Sequence, residues 1–329
     1  MRLERVAIVG AGAWGTALAQ AAALAGRDVL VVGRDPAVVS EINEHHTNAE
    51  HLGRLGLSER IGASTVFNAT ADFVIFAVPA QATRAALTAV GAATLAGKPV
   101  ILSAKGLERG TLKRQSEILA ELAPKAIPFV LSGPSFAEDV AAGRPTAVTL
   151  AGDDAELTDA LAAALVGPGF RLYAAGDVIG VELAGGLKNV YALACGAVEG
   201  AGLGASARAG LLARAFAELT RLVVAMGGQA PTLTGLAGLG DLTLSCTSTQ
   251  SRNYRAGVAL GSGVINAAPQ VESAVLVEGV FTAPAAQQLA QRLGIDAPLI
   301  DAVNLLLAGR MHIDQIVAGL MSRPLKREE

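Results

Sequence analysis

The chain opens on a strand-like run, RVAIV at residues 5–9, that breaks at once into Gly10, Gly12 and Gly15 and continues into TALAQAAALAG. An apolar β-branched run, a glycine turn and an alanine-rich helix in immediate succession leave few folds open. Gly10 permits the tight turn, Gly12 lets the backbone approach a pyrophosphate, and Gly15 allows the helix to pack closely. The phosphates would sit at the helix N-terminus, where backbone amides are unpaired. In a chain with 38 glycines the G-x-G-x-x-G spacing alone is weak. Its place after a strand and before a helix is what points to a dinucleotide site at Gly10, Gly12 and Gly15, with Ala13 and Trp14 in the same turn.

The pattern set there repeats. Short apolar runs at 6–9, 29–32, 73–78, 99–103, 128–132 and 146–151 alternate with alanine-rich stretches of helical length. Continuous apolar strands separated by helices require a parallel sheet covered on both faces. Beyond residue 175 strands nearly stop, and helical segments are predicted near 178–199, 206–227, 281–293 and 298–308. The fold class is therefore α/β: a Rossmann-type, doubly wound, mostly parallel sheet over residues 1–176, then a mostly α-helical substrate-binding domain over 177–329. The length of 329 residues suits two such domains.

Composition excludes several classes. Two cysteines, Cys195 and Cys246, make neither a disulfide framework nor a zinc cluster and suit a reducing cytosol. Four histidines without partners at metal-ligand spacing give no metal site. A net charge of −3 offers no basic footprint for nucleic acid. Mean hydropathy is high at +0.46, yet the uncharged runs fall short of the roughly 20 apolar residues of a spanning helix. MRLERVAIVG has too few apolar residues before the turn to be a signal peptide. The expectation is a cytoplasmic protein without membrane insertion, acting on a small molecule, its apolar helical domain making a homodimer plausible.

The second strand ends in VVGRDP. An NAD-specific site usually places an acidic residue there for the ribose 2′-hydroxyl; Arg34 stands at that edge and can hold a 2′-phosphate instead. NADP(H) is thus the preferred cofactor, with NAD(H) possible. The bland reading is a solvated Arg34 beside an Asp35 that caps the helix opened by Pro36.

Four stretches break the pattern around them. In LSAKGLERG, Lys105 follows a buried-type strand at its C-terminal end, where open α/β sheets bind ligands. In LSGPSFAEDV, Gly133 and Ser135 lead into a helix start that can bind an anion, or Ser135 simply caps that helix with Glu138 three residues on. In GLAGLGDLTLSCTSTQSRNYRAG, Asp241 sits among apolar neighbours, a costly place for an unpaired carboxylate. Ser251, Arg252 and Asn253 then offer a hydroxyl, a guanidinium fork and an amide at a helix start, groups that suit a phosphate or an ordinary capped loop. In VELAGGLKNVYALACGAVEG, Lys188 is the only charge between Glu182 and Glu199. It is either a surface lysine snorkelling along a helix or a functional charge in an apolar wall.

Taken together, VGAGAWGTALA, SAKGLE, SGPSFA, GVELAGGLKNVYALACG, GLGASARAGLLARA, AGLGDLTLSCTSTQSRN and VLVEGV resemble the bacterial glycerol-3-phosphate dehydrogenases that use NAD or NADP. The resemblance spans about residues 5–310. It implies reversible hydride transfer between NAD(P)H and C2 of dihydroxyacetone phosphate to give sn-glycerol 3-phosphate, the glycerophospholipid precursor. It makes Lys188 the acid/base; the chemistry of the residues then suggests that Asp241 orients that lysine and that Lys105, if close, lowers its pKa as a second cation. The resemblance puts Lys105, Gly133, Ser135, Lys188, Asp241, Ser251, Arg252 and Asn253 on the substrate. Ala13, Trp14, Arg34, Lys105, Ala137, Arg252, Leu276 and Glu278 fall on the cofactor. Two departures stand out: TNAEHLGRLGLSERIGAST lacks the usual proline-containing segment on the adenine side, where His51 replaces an aromatic residue, and Ser245 replaces a frequent threonine. Rival readings are a β-hydroxyacid or 6-phosphogluconate type dehydrogenase, which tends to carry an asparagine one turn after the lysine where Ala192 stands here, and a non-catalytic NADPH-binding sensor.

Overall fold

A computed structural model describes residues 2–67, 70–265, 267 and 277–324. The glycine turn shows why its residues are glycines. Gly10 has φ +118°, and a Cβ there would lie 2.6 Å from the carbonyl oxygen of Ala77; one at Gly15 would lie 1.9 Å from that of Gly10. The helix Ala13–Leu24 can therefore start hard against the sheet.

Eight strands form one sheet: β1 (Arg5–Val9), β2 (Asp28–Val32), β3 (Ile61–Ser64), β4 (Phe73–Phe76), β5 (Pro99–Leu102), β6 (Ile127–Ser132), β7 (Thr146–Ala151) and β8 (Phe170–Ala175). Their spatial order is β3-β2-β1-β4-β5-β6-β7-β8. Every pair is parallel except β6 with β7, which run antiparallel. The chain order reverses between β1 and β4, and the crevice at the C-terminal strand ends beside such a reversal is where doubly wound sheets bind ligands. Apolar residues of β1 and β4 divide between two cores, one on each face of the sheet, as a sheet covered by helices on both sides requires.

β3 and β8 were not expected from the sequence. Both are edge strands. IGAS carries too little apolar bulk to register as a strand, and FRLYAA buries Phe170 and Leu172 while Arg171 and Tyr173 face outward. A half-exposed edge strand loses the continuous apolar run that marked its neighbours.

Helices follow from Val178. The helix Val178–Gly200 is buried over nearly its whole length and forms the axis of a further core, in the helical domain. Asp177 caps it, accepting from the Gly180 amide at 2.8 Å, and also takes the Gln229 amide at 2.8 Å and the Thr232 hydroxyl at 2.6 Å. The helices Gly204–Ala225, Asp241–Thr247, Arg252–Gly261, Glu278–Leu293 and Pro298–Leu307 surround this axis. A Cβ at Gly196 would lie 2.1 Å from the Tyr254 carbonyl oxygen, so the axis and the helix Arg252–Gly261 meet backbone to backbone. By length and composition Val178–Gly200 could cross a membrane, but 89% of its most apolar window is buried inside the fold.

Candidate active site

Two lysines meet on one carboxylate. Lys188, from the middle of the axial helix, donates from Nζ to Asp241 Oδ1 and, at 2.6 Å, to Ser245 Oγ. Lys105, three residues past β5, donates to Asp241 Oδ2 at 2.6 Å and to the Gly133 carbonyl at 3.2 Å. Asp241 is 1% exposed, so the partner that its apolar neighbourhood demanded is a pair of ammonium groups. One carboxylate between two cations leaves the cluster net positive beside the cleft.

Burial lowers the pKa of Lys188 from 10.5 to about 8; Asp241 pulls it back up, and Lys105 pushes it further down. A lysine so placed exchanges its proton near neutral pH, as an acid/base group must.

The cleft above this cluster has a volume of about 530 Å³ and runs from the glycine turn to the helix Arg252–Gly261. Of the predicted site residues, Gly12, Ala13, Trp14, His51, Lys105, Ser135, Ala137, Lys188, Ser251, Arg252, Asn253 and Glu278 line it. Gly10 and Gly15 shape the turn without facing the cleft. Asp241 lies beneath the lysines, and the Gly133 carbonyl meets the cluster through Lys105. Arg34 is exposed two residues beyond β2 and does not line the cleft. The neighbouring Asp35 caps the helix Pro36–His45 by accepting from the Ala37 amide at 2.8 Å. Leu276 lies outside the described residues.

One expectation is corrected. Ser135 is not the cap of the helix that follows. That helix begins at Ala137 with Phe136 at its N-cap, and the Ser135 hydroxyl turns back to donate to the Gly133 carbonyl at 3.1 Å. The extra residue leaves Glu138 out of capping register.

Ser251 does cap its helix, accepting from the Tyr254 amide at 3.3 Å. Asn253 is buried and tied on both sides: its amide nitrogen donates to Asn189 Oδ1 at 2.9 Å, and its oxygen accepts from the Gly279 amide at 2.8 Å. Asn189, next to Lys188 in sequence, thereby joins the lysine helix to the polar loop. Glu278 accepts from the Ala80 amide at 3.2 Å, and burial raises its pKa. Sequence reasoning missed Asn189 as a site residue and gave Ser245 no role. Ser245 could have been found from its spacing, four residues after Asp241 on one helix, which places the two side chains on one face.

The glycine turn also fits a dinucleotide. Among the described residues nothing lies within 4 Å of a Cβ built on Gly12. The helix behind it has no acidic residue in its first turn and no side-chain cap, which leaves its amides for a phosphate. Trp14 Nε1 is buried without a hydrogen-bond partner among the described residues.

A Rossmann-type sheet followed by a helical domain, with a cleft running from the glycine turn to a buried lysine, defines a class of two-domain proteins. The comparisons place the chain within it. Residues 5–158 match the model for the NAD-dependent glycerol-3-phosphate dehydrogenase N-terminus, and residues 177–318 match that for its C-terminus. The glycerol-3-phosphate dehydrogenase [NAD(P)+] of Caulobacter vibrioides is 48% identical over 330 residues, covering 100% of both chains. That of Brucella canis is 48% identical over 328 residues, covering 99% of each. The crystal structure of glycerol-3-phosphate dehydrogenase from Coxiella burnetii superposes with a TM-score of 0.91 at 37% identity, covering 97% of this chain and 99% of the other. The chain belongs to the NAD-dependent glycerol-3-phosphate dehydrogenase family.

Proposed function

We propose that the protein reduces dihydroxyacetone phosphate to sn-glycerol 3-phosphate with NADPH, NADH also serving, and that Lys188 is the proton donor. The observation that carries the assignment is the sharing of Asp241 by Lys188 and Lys105 beneath a cleft that also contains the glycine turn. A bound nicotinamide cofactor would lie over Gly12, Ala13 and Trp14 and supply the hydride. The protein's task is the rest.

Hydride addition to a ketone builds negative charge on its oxygen. Lys188 and Lys105 bring two ammonium groups to that end of the cleft, in a site dry enough for their charge to count. Lys188 then gives up its proton, which a pKa near 8 permits. Asp241 and Ser245 fix the direction of its Nζ. Arg252, with Asn253 and Ser251 at the helix start, binds the substrate phosphate. Arg34, exposed beyond the end of β2 and outside the cleft lining, receives the cofactor's 2′-phosphate.

We divide the chain at residue 176, with the cofactor on 1–176 and the substrate phosphate on 177–329. A cytoplasmic location and a homodimer belong to the same reading; sedimentation equilibrium returning the mass of one chain would remove the dimer. Loss of nicotinamide absorbance on mixing the protein with NADPH and dihydroxyacetone phosphate tests the activity, and no oxidation would sink it. Arg252→Ala should chiefly raise KM for the phosphorylated substrate, and an unchanged KM would argue against the phosphate role.

A further inference from the structure

A second tie joins the two lysine-bearing segments away from the cleft. Glu182 is 6% exposed and precedes Lys188 by six residues on the axial helix, about 9 Å along its axis at roughly 1.5 Å per residue. Its carboxylate is fully engaged. Oε1 accepts from the Ser116 amide at 2.9 Å, while Oε2 accepts from the Ser116 hydroxyl at 2.6 Å and from Arg114 Nη1 at 3.1 Å. Gln115, between those two residues, is fully buried and donates from Nε2 to the Gly106 carbonyl at 2.7 Å. Gly106 is the neighbour of Lys105. From the other side, Gly186 of the axial helix presses on it so closely that a Cβ there would lie 3.1 Å from the Gly106 amide nitrogen.

We infer that Glu182 is a positioning residue: it anchors residues 114–116 to the axial helix, and through Gln115 and Gly106 that anchor holds Lys105 at the carboxylate it shares with Lys188. This rests on the reading of Lys188 as proton donor. The physical need is plain. Two ammonium groups around one carboxylate repel each other, and Lys105 is attached to a loop. Without a second restraint it would turn toward solvent and leave Asp241 to Lys188 alone. Stability by itself is a poor account of the tie, since a buried ion pair is often no better than apolar packing. This one also leaves Arg114 Nε and Gln115 Oε1 buried without hydrogen-bond partners among the described residues.

The test compares Glu182→Ala with Glu182→Gln, which keeps an acceptor for the Ser116 amide and a group to meet its hydroxyl. The groups facing Lys188 are Asp241 and Cys246 on the helix Asp241–Thr247, Lys105 on the loop after β5, and Glu278 on the helix Glu278–Leu293; none is altered. For Glu182→Ala, kcat/KM for dihydroxyacetone phosphate should fall roughly ten- to a hundredfold, the cost of misplacing a group by about 1 Å. The alkaline limb of its pH profile should move upward from about 8, because the withdrawal of Lys105 removes a repelling charge. Glu182→Gln should restore most of both. A folded Glu182→Ala enzyme with wild-type kcat/KM and an unmoved limb would overturn the inference. If Glu182→Ala does not fold, Gln115→Ala, which frees the Gly106 carbonyl and leaves the Glu182 contacts intact, must move the limb in the same direction; an unmoved limb there overturns it as well. Failure of the underlying reading is separable: it would show as Lys188→Ala keeping its activity, whereas an inert Lys188→Ala beside an unaffected Glu182→Ala refutes the positioning role alone.

Discussion

Asp241→Asn replaces the one carboxylate that holds two ammonium groups with a neutral group of the same shape. In the wild type, Lys188 is lowered from 10.5 to about 8, which at roughly 1.4 kcal/mol per unit is about 3 kcal/mol against its charged form. Because the folded pKa lies below the unfolded one, the unfolded chain binds more protons between about pH 8 and 10.5. Wild-type stability from this group therefore rises with pH across that window and is least below it. Asp241 opposes the lowering, so in the variant the pKa drops further and Lys188 gives up its proton at a lower pH than in the wild type. Losing the carboxylate from a buried pair costs roughly 3–5 kcal/mol where the cation must stay charged, and neutralising the lysine limits that loss. Urea unfolding at pH 7 should show the variant less stable by about 3 kcal/mol, and at pH 9.5, where wild-type Lys188 has also lost its proton, the gap should be smaller. A deficit under about 1 kcal/mol at pH 7, or one equal at both pH values, would refute the claim that this carboxylate sustains the charge on Lys188.

Other perturbations separate the remaining roles. Ser251→Ala removes the cap of the helix Arg252–Gly261 and should cost about 1 kcal/mol in thermal unfolding, with a higher KM for the phosphorylated substrate; an unchanged KM would leave the serine as a cap only. Arg34→Asp should lower kcat/KM with NADPH at least roughly tenfold relative to NADH, the loss of one charged contact to phosphate, and an unchanged ratio in side-by-side assays would place cofactor choice elsewhere. Glu218 is buried against the Leu299 and Ile300 amides at 3.0 and 3.1 Å, and burial raises its pKa from 4.5 to about 7. The folded state thus binds more protons than the unfolded one between those values, so this group's contribution is full below pH 4.5 and lost as pH rises through 7. Glu218→Gln should therefore gain on wild type as pH climbs from 5 to 7.5, and thermal midpoints that track in parallel would contradict the assignment.

Much of the site was legible because charge is conspicuous in an apolar chain. Lys188 stood alone between Glu182 and Glu199, and Asp241 stood among apolar neighbours; both had to find partners, and they found each other. Their pairing, with Lys105 close by, was expected once the family resemblance was in hand; what the residues did not give was that both lysines donate to the one carboxylate, because Lys105 reaches Asp241 only from the other domain. The turn was legible for the opposite reason. Its glycines satisfy local requirements, a positive φ at Gly10 and backbone contact at Gly15, that hold whatever the rest of the chain does. The antiparallel step from β6 to β7 left no trace, because a strand buried on both faces reads alike in either direction. Ser135 misled for a similar reason: its spacing to Glu138 fits a cap, and one residue of tertiary displacement turned the hydroxyl to the Gly133 carbonyl instead.

The measurement closest to the central claim is the single-turnover rate of hydride transfer for Lys188→Ala with saturating NADPH and dihydroxyacetone phosphate. General acid catalysis contributes roughly 10² to 10⁴ in rate, so the account expects a loss of that size, with NADPH affinity by fluorescence unchanged. A rate within about tenfold of wild type would mean that the proton comes from elsewhere and that the two lysines on Asp241 serve only to bind.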